Sequence, residues 1–214
     1  MKNVFIFDLD GTLIESKNSI IYSFNYIFQK NNLKPTTQNE FNKFANLGSK
    51  FFIKKKFPFL NEKKINKINT QFTNFYKINC TKKIKIKSGV KFFLKKFTNK
   101  VNFYISTNKP KYSSLKILKF FEIDKYFKSV YSGSNNEFRK PYGVKLRKKI
   151  LFLKKNNKII MIGDSEADEK LAKIYNLDFA LIKNGYAKKN IKYFKKKYIF
   201  KDFYHLTNIL IDNI

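Results

Sequence analysis

One cysteine, two arginines, five alanines and 15 acidic residues are what this 214-residue chain has little of. The single cysteine, Cys80, excludes an internal disulfide and suits a reducing compartment. No run approaches the length of a membrane span. The N-terminal stretch VFIF is too short for the apolar region of a secretory signal and is stopped by Asp8. A cytoplasmic protein with no membrane partner is the expectation. The scarcity of arginine bears on the formal net charge of +31, which comes from 46 Lys and Arg against 15 Asp and Glu. Proteins that read nucleic acid favour arginine, whose planar fork grips phosphate and guanine bidentately; only Arg139 and Arg147 are present here. Lysine is instead spread over nearly every polar segment, beside abundant Asn, Ile and Phe. That pattern points to drift towards A/T-rich codons on a solvated surface, and it disfavours nucleic acid as a partner. The positive field would still attract anionic substrates.

What is abundant is apolar: 43% of residues are hydrophobic, with 25 Phe and 13 Tyr, enough for a packed core despite the lysine. Residues 3 to 8 read as a short buried strand, β-branched and aromatic, ended by charge and glycine. From Ser16 to Leu33 apolar residues fall at helical spacing, with Ile20, Ile21, Phe24, Ile27 and Phe28 on one face and Ser16 or Ser19 as cap. Helical patterns continue from Gln38 to about Tyr76, broken near Asn46-Leu47-Gly48 and at Pro58, and Ser88-Gly89 opens another helix, VKFFLKKF. VNFYIST (Val101 to Thr107), KSVYSGS, KIIMIGD and FALI return to strand character. Strands alternating with helices predict an α/β fold with a Rossmann-like parallel sheet covered on both faces. The helix-only stretch 15–84 reads as a small all-helical insertion after the first strand, leaving 1–14 and 85–214 as the core.

In such sheets ligands bind at the carboxyl ends of the strands, and three strands here end in polar groups: Asp8 and Asp10, Ser106 to Asn108, and Gly163 to Ser165. Asp8 and Asp10 are two apart, so an extended backbone points both to one side. Two buried carboxylates that close cannot both stay ionised without a partner. A hard divalent cation with oxygen ligands, Mg²⁺ above all, resolves the repulsion, and Asp164 is a further candidate ligand. Gly11 allows a sharp turn and close backbone approach to a ligand. Thr107 and Asn108 offer hydroxyl, amide and backbone N–H groups to phosphate oxygens, and Lys140, held by Pro141, offers a cation.

DLDGTL, STNKP, RKP and GDSEAD, in that order and with a helical insertion after the first, resemble the motifs of the haloacid dehalogenase superfamily. The resemblance spans nearly the whole chain, and TNKP is similar to the second motif of its small-helical-cap subgroup that includes the phosphoglycolate phosphatases. It implies a Mg²⁺-dependent phosphatase acting on a small phosphorylated metabolite, with phosphoglycolate as leading substrate. It further implies that Asp8 is the nucleophile, forming an aspartyl phosphate, and that Asp10 is general acid and then base. Thr107 would hold a phosphoryl oxygen, and Lys140 would steady Asp8 and the developing charge. The metal would sit between Asp8, Asp164 and Asp10, the last through its backbone carbonyl, with Asp168 in support. FANLGSK is similar to the cap loop of that subgroup, which makes Gly48, Ser49 and Lys50 candidates for the distal group of the substrate.

Each of these residues also has a plainer reading. Asp168 stands where a capping box begun by Ser165 would place it, Ser106 to Asn108 could be a strand end and helix cap, and Gly48 could be a helix-breaking turn. His205 and Cys80 read as structural. Asn176 stands where the family has glycine after its last motif's helix and suits a left-handed helix end; Ser88 replaces the usual proline before Gly89. Alternatives within the fold are a phosphatase for nucleotides, sugar phosphates, pyrophosphate or nucleic-acid 3′-phosphate, and a phosphoglucomutase, for which no feature that would shield an intermediate from water is evident. A polyanion-binding scaffold is the non-enzymatic alternative, opposed by the presence of every expected catalytic group. Monomer and dimer both remain open.

Overall fold

The structure, a computed structural model, describes residues 3–44, 48–133, 136–187 and 190–213. Its elements in chain order are β1 (Asn3–Phe7), β2 (Ile14–Glu15), α1 (Lys17–Lys30), α2 (Gln38–Phe44), α3 (Ser49–Lys56), α4 (Glu62–Asn79), β3 (Lys85–Ile86), α5 (Val90–Phe97), β4 (Val101–Thr107), α6 (Lys111–Phe120), β5 (Phe127–Ser132), α7 (Val144–Lys154), β6 (Ile159–Gly163), α8 (Glu166–Ile174), β7 (Asp178–Ile182), β8 (Tyr198–Phe200) and α9 (Phe203–Leu210). Among the described residues no helix is long and apolar enough to cross a membrane. The chain divides into two compact units, 1–15 with 85–214, and 16–84.

The first unit is built on a six-stranded sheet in the order β5-β4-β1-β6-β7-β8, every neighbouring pair parallel. β1 lies inside it, which explains an uninterrupted VFIF: a strand with neighbours on both sides and helices on both faces has no solvated edge or face to alternate towards. Phe5 and Phe7 point to one face, where they meet Phe93 of α5 and Phe103, and Phe7 also meets Phe203 of α9. Val4 and Ile6 point to the other and join a core with Leu146 and Ile150 of α7, Met161, and Leu171 and Ala172 of α8. This is the α/β fold the alternating pattern predicts. The parallel register pairs Phe7 with both Ile105 and Ile162. The chain therefore leaves β1, β4 and β6 at one level, and Asp8, Thr107 and Asp164 come together because their strands are in step.

β8 and α9 are not evident in the sequence. YIF is only three residues long and sits among lysines, too short for a period to show; its edge position in the sheet comes from pairing with β7. Asn176 does adopt a left-handed conformation, φ 49°, two residues beyond α8.

The second unit is the bundle α1 to α4, filled by stacked rings. Phe24 lies on Phe72 with centroids 3.9 Å apart and touches Phe52 at 4.7 Å, while Phe28 meets Phe57 edge-on at 4.9 Å. Hydrogen bonds lock the turns: Asn25 brackets the backbone of Thr36, donating to its carbonyl at 3.1 Å and accepting its N–H at 2.7 Å. Thr37 and Glu40 cap α2 reciprocally, each accepting the other's backbone N–H. Neither serine proposed to cap α1 does so. Ser16 occupies the cap position without a side-chain bond to the helix, and Ser19 lies one turn inside, where its hydroxyl donates to the carbonyl of Cys80 at 3.0 Å. The break expected at Asn46-Leu47 lies outside the described residues; Gly48 is described and sits at the start of α3 with φ +88°.

Candidate active site

The ends of β1, β4 and β6 and the segment between β5 and α7 carry the acidic and cationic groups, and burial decides their chemistry. Asp8 follows β1, its backbone N–H bonded to Ile162 of β6. One of its oxygens takes the Lys140 ammonium at 2.5 Å. Lys140 reaches on to Asp168 at 2.6 Å, so a single buried cation bridges two buried carboxylates. Asp164, following β6, is almost fully buried too. The Thr12 hydroxyl lies between it and Asp8, 3.2 Å from Asp164 and 3.4 Å from Asp8, and the backbone N–H of Tyr186 donates to the other Asp164 oxygen.

Asp164 fits only because two glycines make room. Gly11 has φ +86°, and a Cβ there would run into the Asp164 carboxylate, as would one on Gly185. The close approach expected at Gly11 is thus made by a protein carboxylate. Asp168 completes a capping box with Ser165 at the start of α8: its second oxygen accepts the N–H of Asp164 at 3.2 Å and the N–H and hydroxyl of Ser165 at 3.1 and 2.6 Å. The capping role and the support of the buried acids coexist in one side chain.

Oxygens of Asp8, Asp164 and Asp168 lie within 4.8 Å of one another. Burial raises Asp8 to about 7, with Lys140 opposing the rise and the charges of Asp168 and Asp10 adding to it. Burial, then the charges of Asp8 and Asp168, hold Asp164 well above the ordinary carboxylate range against the Tyr186 N–H and Lys140. Burial alone would lower Lys140, but Asp168 and Asp8 outweigh it and keep the ammonium charged. With all three carboxylates ionised, one ammonium leaves room for two positive charges.

The Asp10 carboxylate is not in this cluster. Both its oxygens contact the ammonium of Lys109, at 2.9 and 3.0 Å. The carboxylates of Asp8 and Asp10 thus each meet a different lysine. Lys109 and Thr12 are the site residues that reading the sequence missed. Their only signal was membership of STNKP and DLDGTL, since a lysine among 46 basic residues has no distinguishing context until it is found buried.

Thr107, at the end of β4, accepts the N–H of Lys109 on its hydroxyl oxygen at 3.1 Å. Asn108 is turned to Lys140: its side-chain oxygen accepts the Lys140 N–H at 2.8 Å and its amide donates to the Lys140 carbonyl at 3.4 Å. The Asn108 side chain thereby ties the end of β4 to the segment that carries Lys140. In the helical unit the Ser49 hydroxyl donates to Asn69 at 2.6 Å, and Lys50 pairs with Glu62 at 3.1 Å. His205 accepts the N–H of Lys201 on its ring at 3.3 Å, and the buried Cys80 thiol donates to the carbonyl of Lys77 at 3.9 Å.

The model of the haloacid dehalogenase-like hydrolases matches residues 5–182, a span that contains Asp8, Lys109, Lys140 and Asp164 together. The chain belongs to that family. As a haloacid dehalogenase-like hydrolase it is similar over 218 residues, at 23% identity, to the phosphoglycolate phosphatase of Mesorhizobium japonicum, covering 99% of this chain and 96% of that one. It is 27% identical over 186 residues to the phosphoglycolate phosphatase of Cereibacter sphaeroides, 85% of each chain. Its fold matches the crystal structure of a Haemophilus somnus protein described as a predicted phosphoglycolate phosphatase, with a TM-score of 0.86, 24% identity and 97% of both chains covered.

Proposed function

We propose that this hydrolase is a Mg²⁺-dependent phosphatase that hydrolyses a small phosphomonoester through an aspartyl phosphate on Asp8, with phosphoglycolate as leading substrate. The observation that carries the reading is the Asp8–Lys140–Asp168 bridge beside Asp164, a buried anionic site with its own cation. In this reading an Asp8 oxygen bonds to phosphorus while the bond to the ester oxygen breaks, and Asp10 gives that oxygen its proton. Water then bonds to phosphorus, its proton goes to Asp10, and the Asp8–phosphorus bond breaks. The net change is ester plus water to alcohol plus phosphate. Thr107 accepts the Lys109 N–H, so its own hydroxyl hydrogen can go to a phosphoryl oxygen. Lys140 keeps Asp8 oriented and offsets charge gathering on the phosphoryl group.

The donor set fits a hard divalent ion: oxygen ligands only, all buried, with two negative charges left uncompensated by Lys140. Asp8 and Asp164 would hold it, together with the Asp10 carbonyl, with Asp168 in support through its bonds to Lys140, Ser165 and the Asp164 N–H. Mg²⁺ bound there supplies neutralisation of the phosphoryl oxygens. Phosphoglycolate is supported by the named relatives and the TNKP motif. The helical unit is proposed as the cap that sets specificity, with Gly48, Ser49 and Lys50 as candidates for the distal group of the substrate.

The test is phosphate release from phosphoglycolate, nucleotides, sugar phosphates, pyrophosphate and 3′-phosphorylated DNA, with Mg²⁺ or a chelator, by wild type and Asp8→Asn. Turnover that needs Mg²⁺ and falls by at least about 10⁴-fold in Asp8→Asn is expected. A folded wild type that releases phosphate from none of them sinks the reading, and a preference for another substrate displaces phosphoglycolate.

A further inference from the structure

We infer that Lys109 is the positioning residue of Asp10, holding the carboxylate in place for proton transfer to the leaving oxygen and from water; the inference rests on the phosphatase reading above. Lysine is the commonest residue type on this surface, yet the Lys109 side chain is only 3% exposed. A buried ammonium needs a partner, and this one contacts both oxygens of Asp10, at 2.9 and 3.0 Å. The Asp10 side chain is 21% exposed. The cation is therefore on the dry side of the pair and the carboxylate on the wet side, where a substrate oxygen or a water can approach it.

The lysine is itself fixed at both ends of its backbone unit. Its N–H donates to the Thr107 hydroxyl at 3.1 Å, and its carbonyl accepts the Ser132 hydroxyl at 2.8 Å. One residue thus joins the proposed phosphoryl-binding hydroxyl to the proposed acid. It also stands apart from Lys140, which serves Asp8 and Asp168. Asp10 gives its proton to the ester oxygen in the first step and takes one from the attacking water in the second, and the two-oxygen contact with Lys109 keeps the carboxyl group in one orientation for both transfers.

Proton donation matters for an alkoxide leaving group and little for 4-nitrophenolate, which leaves without help. The experiment measures kcat/KM, which reports the first phosphoryl transfer, for the best-hydrolysed alkyl phosphate and for 4-nitrophenyl phosphate, with wild type, Lys109→Met and Lys109→Arg. In Lys109→Met the alkyl phosphate is expected to lose about 10²-fold or more and the aryl phosphate less than about tenfold. Lys109→Arg keeps a cation able to engage both oxygens and is expected to recover the alkyl value to within about tenfold of wild type. Equal losses on both substrates, including loss of both through misfolding, overturn the inference, as does an unchanged alkyl rate. A wild type inactive on every phosphate would instead remove the phosphatase reading itself.

Discussion

The two units of this protein treat negative charge in opposite ways. The helical unit has two acidic residues, Glu40 and Glu62, and both lie at the surface against lysines. The Thr37 N–H and then Lys56 hold Glu40 at about 2, and Lys54 and Lys50 lower Glu62. The sheet unit buries Asp8, Asp164 and Asp168 around one lysine, and burial drives Asp8 and Asp164 upwards. At the surface a lysine-rich chain settles its few acids easily. Buried acids clustered around too few cations are a destabilising arrangement, and such arrangements persist where chemistry needs them. What the helical unit buries instead is rings, which need no partner of opposite charge.

The comparison breaks most visibly at Lys140. Lys140→Met leaves Asp8 and Asp168 buried without their cation, so urea unfolding should show a loss of about 3–5 kcal/mol together with loss of phosphate release. An unchanged midpoint would mean the bridge contributes nothing to folding. The matching cut in the helical unit is Phe24→Ala, which empties the stack on Phe72 and Phe52. It should also lower stability by about 3–5 kcal/mol, but through a cavity, and leave the pH dependence of unfolding unchanged.

The pH dependences sharpen the contrast most, because they differ in sign. Asp8 titrates near 7 when folded against an ordinary 3.8, so between those values the native state binds more protons than the unfolded one. Its contribution to stability is present below about 3.8 and is lost as pH rises to about 7. Without metal, the stability of wild type relative to Asp8→Asn should therefore fall across that window. Glu40 runs the other way: its contribution is present above its ordinary 4.5 and is lost as pH falls towards 2. Being largely exposed, it should be worth under about 1 kcal/mol and shrink with salt, read as wild type minus Glu40→Gln. Parallel pH curves for the two pairs would refute the contrast.

Much of the fold was legible because it is local. VFIF announces a strand buried on both faces, and Ile20 to Phe28 announce a helix, since period and length appear within a few residues. β8 was not legible, because three residues among lysines carry no period. At the site, Asp8, Thr107 and Asp164 stood out by position at strand ends and Lys140 by its place in the motif order. Lys109 and Thr12 did not, because nothing in the chain separates a buried lysine or threonine from a surface one. The grip of the Asn108 side chain on the backbone of Lys140 was not legible either, because it joins residues 32 positions apart.

The sequence by itself determined that a buried strand would end in two aspartates, that polar groups would stand at the ends of two further strands, and that a helical stretch would interrupt the sheet after its first strand. These follow from the alternation and order of residues along the chain. Only the tertiary structure decided which lysine meets which carboxylate: Lys140 with Asp8 and Asp168, Lys109 with Asp10. Those pairings join residues 132, 28 and 99 positions apart. They exist because parallel strands in register bring distant chain segments to one level and exclude the water that would otherwise have screened each charge alone.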